Sequence, residues 1–213
     1  MRLLDDMESA VEDDEIEWRT GQLFAMVAEG LAAATAAFLS SDRELARRLI
    51  AGDQEIDALQ TEIEELVHAE LLRDDGCERS RLRQLLLVLR VAPELERSGD
   101  LVEHIAMRST QGLAEMLPPE ARGIVDTMGA TGVRMWQLAS EAFAHRDPDA
   151  ADVLRTMDDE LDDLHVQLTD EIGRADITGP ASIEMGLLAR FYERLGDHAV
   201  NIARHVRSAA LAG

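Results

Sequence analysis

Lysine is absent: all 21 basic residues are arginine, set against 43 acids, for a formal net charge of −22. A phosphate backbone is gripped by a basic face, so a general nucleic-acid binder is excluded. The same negative excess argues against docking on an anionic membrane surface. Cysteine is nearly missing too, and the single Cys77 leaves no internal disulfide. Aromatics are 3% of the chain and runs of β-branched residues do not occur, which leaves helix favoured almost everywhere. The longest uninterrupted run of strongly apolar residues, Leu85 to Leu89, is far short of a bilayer span, so no direct membrane insertion is expected. The opening MRLLDDMESA turns acidic at its fifth residue, and a secretory signal is not expected there. A soluble cytoplasmic protein is the simple expectation. Neither a nucleophile on a strained turn nor a Gly-rich phosphate loop is found, so hydrolase and nucleotide-binding logic lack support.

What the chain does have is 46% hydrophobic residues, enough for a core. Leu45, Leu49, Ile56, Leu59, Ile63 and Leu66 recur at helical spacing, as do Ile183, Leu187, Phe191, Leu195, Ile202 and Val206. Ser40-Ser41-Asp42, Asp74-Asp75-Gly76, Pro118-Pro119, Asp147-Pro148 and Thr178-Gly179-Pro180 punctuate the pattern. Six helices follow, at roughly 3–39, 42–73, 80–113, 119–145, 147–174 and 180–211.

These helices are two copies of three. Ala37, Phe38, Asp42, Leu49, Asp53, Asp57 and Leu59 return 105 positions later as Ala142, Phe143, Asp147, Leu154, Asp158, Asp162 and Leu164. Glu96, Arg97, Gly99, Asp100, Ile105 and Ala106 return 97 positions later as Glu193, Arg194, Gly196, Asp197, Ile202 and Ala203. The offset falls by 8, about one turn on each of two antiparallel helices, so paired motifs can stay level. The expected fold is all-α, two tandem three-helix bundles. The first repeat, with an acidic N-terminal segment, is placed at 1–114 and the second at 115–213.

The repeat preserves four acid pairs at spacing four: Asp53/Asp57, Glu96/Asp100, Asp158/Asp162 and Glu193/Asp197. Residues so spaced share one helix face, where like charges repel by a few tenths of a kcal/mol unless a cation intervenes. Carboxylates from two adjacent helices are what hard cations take as ligands. Asp53 and Asp57 fall about 100° from the Leu59/Ile63 stripe, on the flank of the core. A bland solvated face accounts for any one pair more simply than for four at equivalent points of a repeat.

The stretch from Glu193 to Ala203, E-R-L-G-D-H-A-V-N-I-A, resembles the E-R-I-G-D-H-A-x-N-I-A signature of the PhoU family of phosphate-signalling regulators. Glu96 to Ala106 is its degenerate twin, and D-x-x-x-D segments precede both. Arg190-Phe191-Tyr192 is similar to the actinobacterial branch. The resemblance covers the whole chain and implies an all-α bundle that binds multinuclear metal clusters, with iron or zinc in family crystals. Manganese and magnesium suit carboxylates equally. It further implies negative regulation of phosphate uptake and of the starvation response, without enzymatic turnover. The implied contacts are a sensor histidine kinase and the ATPase of the phosphate ABC transporter, and the implied state is a homodimer. Carried over residue by residue, the metal ligands are the eight paired acids, with Asn201 and His104 as weaker candidates. Ser98 departs from the signature's apolar residue, and Pro93 lies one turn before Glu96. Both make the first-repeat cluster the less secure of the two.

Other features remain open. Eight acids lie between Asp5 and Glu17, on a segment that is either bundle or extension. Arg73, Arg79, Arg81 and Arg83 oppose the helix dipole at a helix start; they either dock an anionic partner or neutralise nearby acids. Cys77 beside them reads as a surface thiol. Glu65/His68 and Asp162/His165 have the Glu-x-x-His spacing of di-metal oxidase or storage bundles, although they are not repeat-equivalent and read as surface. A metal-free helical interaction scaffold is the third option. His198 reads as structural, and Trp18, Trp136 and Tyr192 as core or seam packing.

Overall fold

The structure, a computed structural model, describes residues 2–73 and 78–211, with side chains described from Glu15 onward. It contains α1 (Arg2–Ser40), α2 (Arg43–Leu71), α3 (Arg79–Ser109), a 3₁₀ turn (Leu113–Met116), α4 (Pro119–His145), α5 (Ala150–Arg174) and α6 (Gly179–Leu211). Six helices were expected and six α-helices are found among the described residues, close to the expected bounds. One end moves. The third helix stops at Ser109 instead of 113, because Gly112 adopts a left-handed φ of 69° and the following turn buries Leu113 and Ala114. The N-terminal acids lie on a helical backbone that continues to Arg2; their side chains up to Asp14 fall outside the described residues, as does Cys77.

The two repeats match down to their turns. Ser41 and Arg146, which occupy equivalent positions, both carry a left-handed φ, of 55° and 54°. After each, an aspartate N–H reaches back to a carbonyl of the departing helix, Asp42 to Ala37 at 2.9 Å and Asp147 to Ala142 at 3.0 Å. That is a Schellman closure. Asp42 then caps α2, its carboxylate accepting from the amides of Glu44 and Leu45 at 3.0 and 2.9 Å.

Helices α1, α3, α4 and α6 form the interior, α1 packing on α4 and α3 on α6, while α2 and α5 lie outside, each against its own repeat. One hydrophobic cluster runs through both repeats, from Leu23, Phe24 and Val27 to Trp136, Tyr192 and Leu195. The stretch Glu15–Ser40 is long and apolar enough by composition to cross a membrane. Here it is the central helix, with Leu23, Phe24, Val27, Leu31, Ala34 and Phe38 buried. Its alanines made it look weakly apolar by run length, but they are what allow neighbours to pack closely on several sides.

Two pairs of polar groups meet across the seam between repeats. Thr35 and Tyr192 hydroxyls lie 2.8 Å apart. Ser98 donates to the Glu94 carbonyl at 2.7 Å, so the 2.9 Å contact with His198 Nδ1 is an N–H of the imidazole donating to its oxygen. Burial holds the His198 pKa below its usual range. His198 is thus structural, and the Ser98 departure is explained: the serine exists to satisfy that buried ring. Trp136 and Tyr192 are core residues as expected, whereas Trp18 is 61% exposed on the outer side of α1.

Candidate functional site

Because α2 and α5 lie outside α3 and α6, each outer helix forms a solvent-open groove with the inner helix carrying the signature. The first groove faces Asp53 and Asp57 on α2 toward Glu96 and Asp100 on α3. One carboxylate oxygen each from Asp53, Asp57 and Asp100 lies within 4.8 Å of the other two. Asp53 is half-buried and its pKa is pushed up to about 6, first by burial and then by Glu103, Asp100, Asp57 and Glu96. Glu96 is also raised, by burial and then by Asp100 and Asp57. Pro93 does not break α3, which runs through it as one helix. The segment bearing Glu96 and Asp100 is intact, and this group of acids is the tighter of the two.

In the second groove, Asp158 and Asp162 on α5 face Glu193 and Asp197 on α6. The Asp158 pKa is again pushed up to about 6, by burial, then Asp197, Asp162, Asp159 and Glu193. Its Oδ1 is buried with no hydrogen-bond partner. Glu193 is turned toward an ion pair with Arg190 and toward His165, whose Nδ1 is 3.5 Å from Glu193 Oε2. Among the described residues, the close three-carboxylate grouping of the first groove is not reproduced here.

The glycine of each signature has a steric reason. A Cβ on Gly196 would sit 2.6 Å from Asp158 Oδ1 and 2.9 Å from Leu161 Cδ2. On Gly99 it would meet Ile56 Cδ1 at 2.8 Å and Asp53 Oδ1 at 3.5 Å. On α6 the missing side chain lets Asp158 lie against the helix backbone, and on α3 it makes room for Ile56, with Asp53 just beyond.

Two acids that the motif pattern passed over contribute as well. Glu103 is the largest charged influence on Asp53, and Glu64 acts on Glu96. Their positions, three residues beyond Asp100 and seven beyond Asp57, place them on the same helix faces and are the signal by which they were detectable. The weaker candidates go elsewhere. His104 stacks on Phe191 with ring centroids 5.2 Å apart, and Asn201 accepts from Arg204 at 3.3 Å. Glu65 and His68 are exposed on α2, so the di-metal spacing they share is not directed into the bundle. Of the basic run, Arg81 forms a nearly buried fork with Glu70, its Nε 2.5 Å from Oε1, which is neutralisation of a neighbouring acid. Arg83 lines a cavity of about 160 Å³ with Ser80, Arg146 and Val206.

Facing carboxylates with raised pKa values and a buried orphan oxygen are a donor set suited to a cation. A family model for the PhoU domain matches residues 20–109 and again 125–206. The chain belongs to the PhoU family. The two matches fall on the two repeats. Among PhoU relatives, the chain is 30% identical to the phosphate-specific transport system accessory protein PhoU homolog 2 of Mycobacterium tuberculosis, covering 90% of this chain and 91% of that one. It is 30% identical to PhoU homolog 1 of Thermotoga maritima, over 87% and 81% of the two chains. Crystal structures of PhoU from Pseudomonas aeruginosa and of the phosphate transport system regulatory protein PhoU from Streptococcus pneumoniae superpose with a TM-score of 0.85 at 25% identity. Both comparisons cover 96% of this chain, and 99% and 97% of the respective neighbours. PhoU proteins are thus the chain's relatives in sequence and in fold alike.

Proposed function

We propose that this PhoU-family chain is a cytoplasmic, metal-binding adaptor that restrains phosphate uptake and the phosphate-starvation response through protein–protein contacts, without catalysis. The observation that supports the metal part is that Asp53 in the first groove and Asp158 in the second are each half-buried among carboxylates and each pushed up to about 6. A cation in either groove offsets that repulsion and ties the outer helix to the inner one, through Asp53, Asp57, Glu96 and Asp100 or through Asp158, Asp162, Glu193 and Asp197. Iron, zinc, manganese or magnesium fits such oxygen-rich donors. Fixing α2 and α5 in this way sets the outer surface that partners read.

The relatives' names as accessory proteins of the phosphate-specific transport system support the phosphate side of the reading. The partners we propose are the transporter ATPase and a sensor histidine kinase, approached by a homodimer. Pull-down of the kinase cytoplasmic region and the ATPase, with and without phosphate and divalent metal, tests the adaptor. Capture of one or both is expected, and no capture under any condition overturns it. Metal analysis of untagged protein prepared without chelator tests the other half. Bound metal and a raised melting temperature on adding cation are expected, and metal-free protein indifferent to cations would leave a bare scaffold.

A further inference from the structure

We infer that the ridge between α3 and α6 is the face on which a partner protein docks, through an acidic amphipathic helix laid along its arginines. The inference rests on the adaptor reading above and adds where the contact is made. Arg83, Arg90 and Arg97 follow one another at intervals of seven, so they line one face of α3 about 10 Å apart. Helix α6 runs antiparallel beside them. Ser98 meets His198, and Arg83, Arg90 and Leu87 share a cavity of about 150 Å³ with His205 and Ala209. Arg97 and Arg194 flank His198, both adding to the lowering of its pKa that burial causes, and Arg90 does the same at His205. Arg90, Arg97 and Arg194 are exposed. Arg97 is paired with Glu94 at 2.8 Å, whereas among the described residues Arg83, Arg90 and Arg194 form no ion pair.

In a chain of net charge −22, a face of unpaired arginines attracts a partner of the opposite sign. Guanidiniums two helical turns apart do not converge on one small anion. Their spacing instead matches carboxylates placed seven residues apart on a partner helix. Between the arginines the floor is apolar. Leu86 is 47% exposed and lines the cavity with Leu87 and Ala209, a seat for an apolar side chain of the docked helix. Burying that side chain supplies affinity, while the arginines set register and speed the encounter. A second copy docked through the same face would set arginine against arginine. The net charge of the chain opposes an anionic bilayer there.

The test measures binding of untagged full-length protein to an immobilised histidine kinase cytoplasmic region and to an immobilised transporter ATPase, at rising NaCl. Wild-type binding is expected to weaken with salt. Arg83→Glu/Arg90→Glu should lower the affinity by at least about tenfold and flatten the salt dependence. Arg83→Gln/Arg90→Gln should act in the same direction, and it carries the test if charge reversal unsettles the fold. Leu86→Ala should weaken binding while leaving the salt dependence in place. Arg47→Glu/Arg155→Glu changes the net charge equally at exposed sites on α2 and α5 and should cost far less. If wild type binds and the ridge variants bind as well, or the two charge reversals cost the same, the ridge inference falls and the adaptor stands. If wild type binds neither partner, both fall together. Sedimentation with phosphatidylglycerol vesicles is the last arm: vesicle binding that Arg83→Glu/Arg90→Glu abolishes, with partner binding intact, would make the ridge a membrane contact and overturn the inference.

Discussion

Asp158 and Asp53 are ionised at neutral pH only at a cost, because burial and surrounding carboxylates push each up to about 6 from an unfolded value near 3.9. An acid raised on folding favours the native state fully below its unfolded pKa, and that contribution is lost as pH rises through the folded value. Metal-free Asp53→Asn/Asp158→Asn protein should therefore melt above wild type at pH 7.5, with the gap closing by about pH 4. With cation added at pH 7.5 the order should reverse, since only wild type gains a ligand. Thermal unfolding at both pH values checks this; a double variant less stable than metal-free wild type at pH 7.5 contradicts the frustration argument. Gly196 is the second residue to test. An added methyl at 2.6 Å from Asp158 Oδ1 costs about 1–3 kcal/mol by overpacking, and the helix propensity gained returns at most about 1. Gly196→Ala should thus destabilise and displace Asp158, weakening metal in the second groove. Gly99→Ala should destabilise less, since its Cβ meets Ile56 Cδ1 at 2.8 Å and Cγ2 at 3.1 Å but clears Asp53 Oδ1 at 3.5 Å. Equal losses at both glycines, seen in denaturant melts, would show that the aspartate contact is not what matters.

At the scale of elements, the α1–α2 and α4–α5 turns repeat the same left-handed residue, and neither copy uses glycine. A non-glycine residue held in that region costs about 1–2 kcal/mol. Ser41→Gly, at φ 55°, should raise stability by about 1 kcal/mol, or roughly 2–4 °C for a chain of this size. An unchanged or lowered melting temperature would mean that the Ser41 side chain contributes more than its backbone strain. Six helices were readable because their apolar spacing is strong and their breaks are short. The end of the third was misjudged, since Gln111, Gly112 and Leu113 extend a plausible helical pattern, and only the buried 3₁₀ turn beneath the crossing between repeats shows why the chain leaves it.

For the whole molecule, the decisive fact is a single core shared by both repeats. Ser98, His198, Thr35 and Tyr192 meet only when the repeats are docked, and α1 and α3 present to α4 and α6 a surface too apolar to leave in water. A chain cut after residue 114 is expected to aggregate, self-associate or unfold rather than persist as a folded monomer, whereas the full chain should melt in one cooperative transition. Calorimetry and sedimentation of the two proteins decide it: two separated transitions in the full chain, or a folded monomeric half, would refute a shared core.

The sequence alone was enough for the all-α class, the internal repeat, the family and the four acid pairs. The family came from the resemblance of Glu193 to Ala203 to a known signature; the other three follow from periodicity and spacing along the chain, for which local geometry is enough. What lies between helices needed the tertiary structure. It brought Glu103 and Glu64 into the first groove, kept α3 whole through Pro93, turned Glu193 toward Arg190 and His165, and sent His104 to Phe191. It also gave Ser98, a flaw in the motif when read along the chain, its partner 100 residues away. Spacing says which side chains share a face; only the packing of one helix on another decides what that face meets.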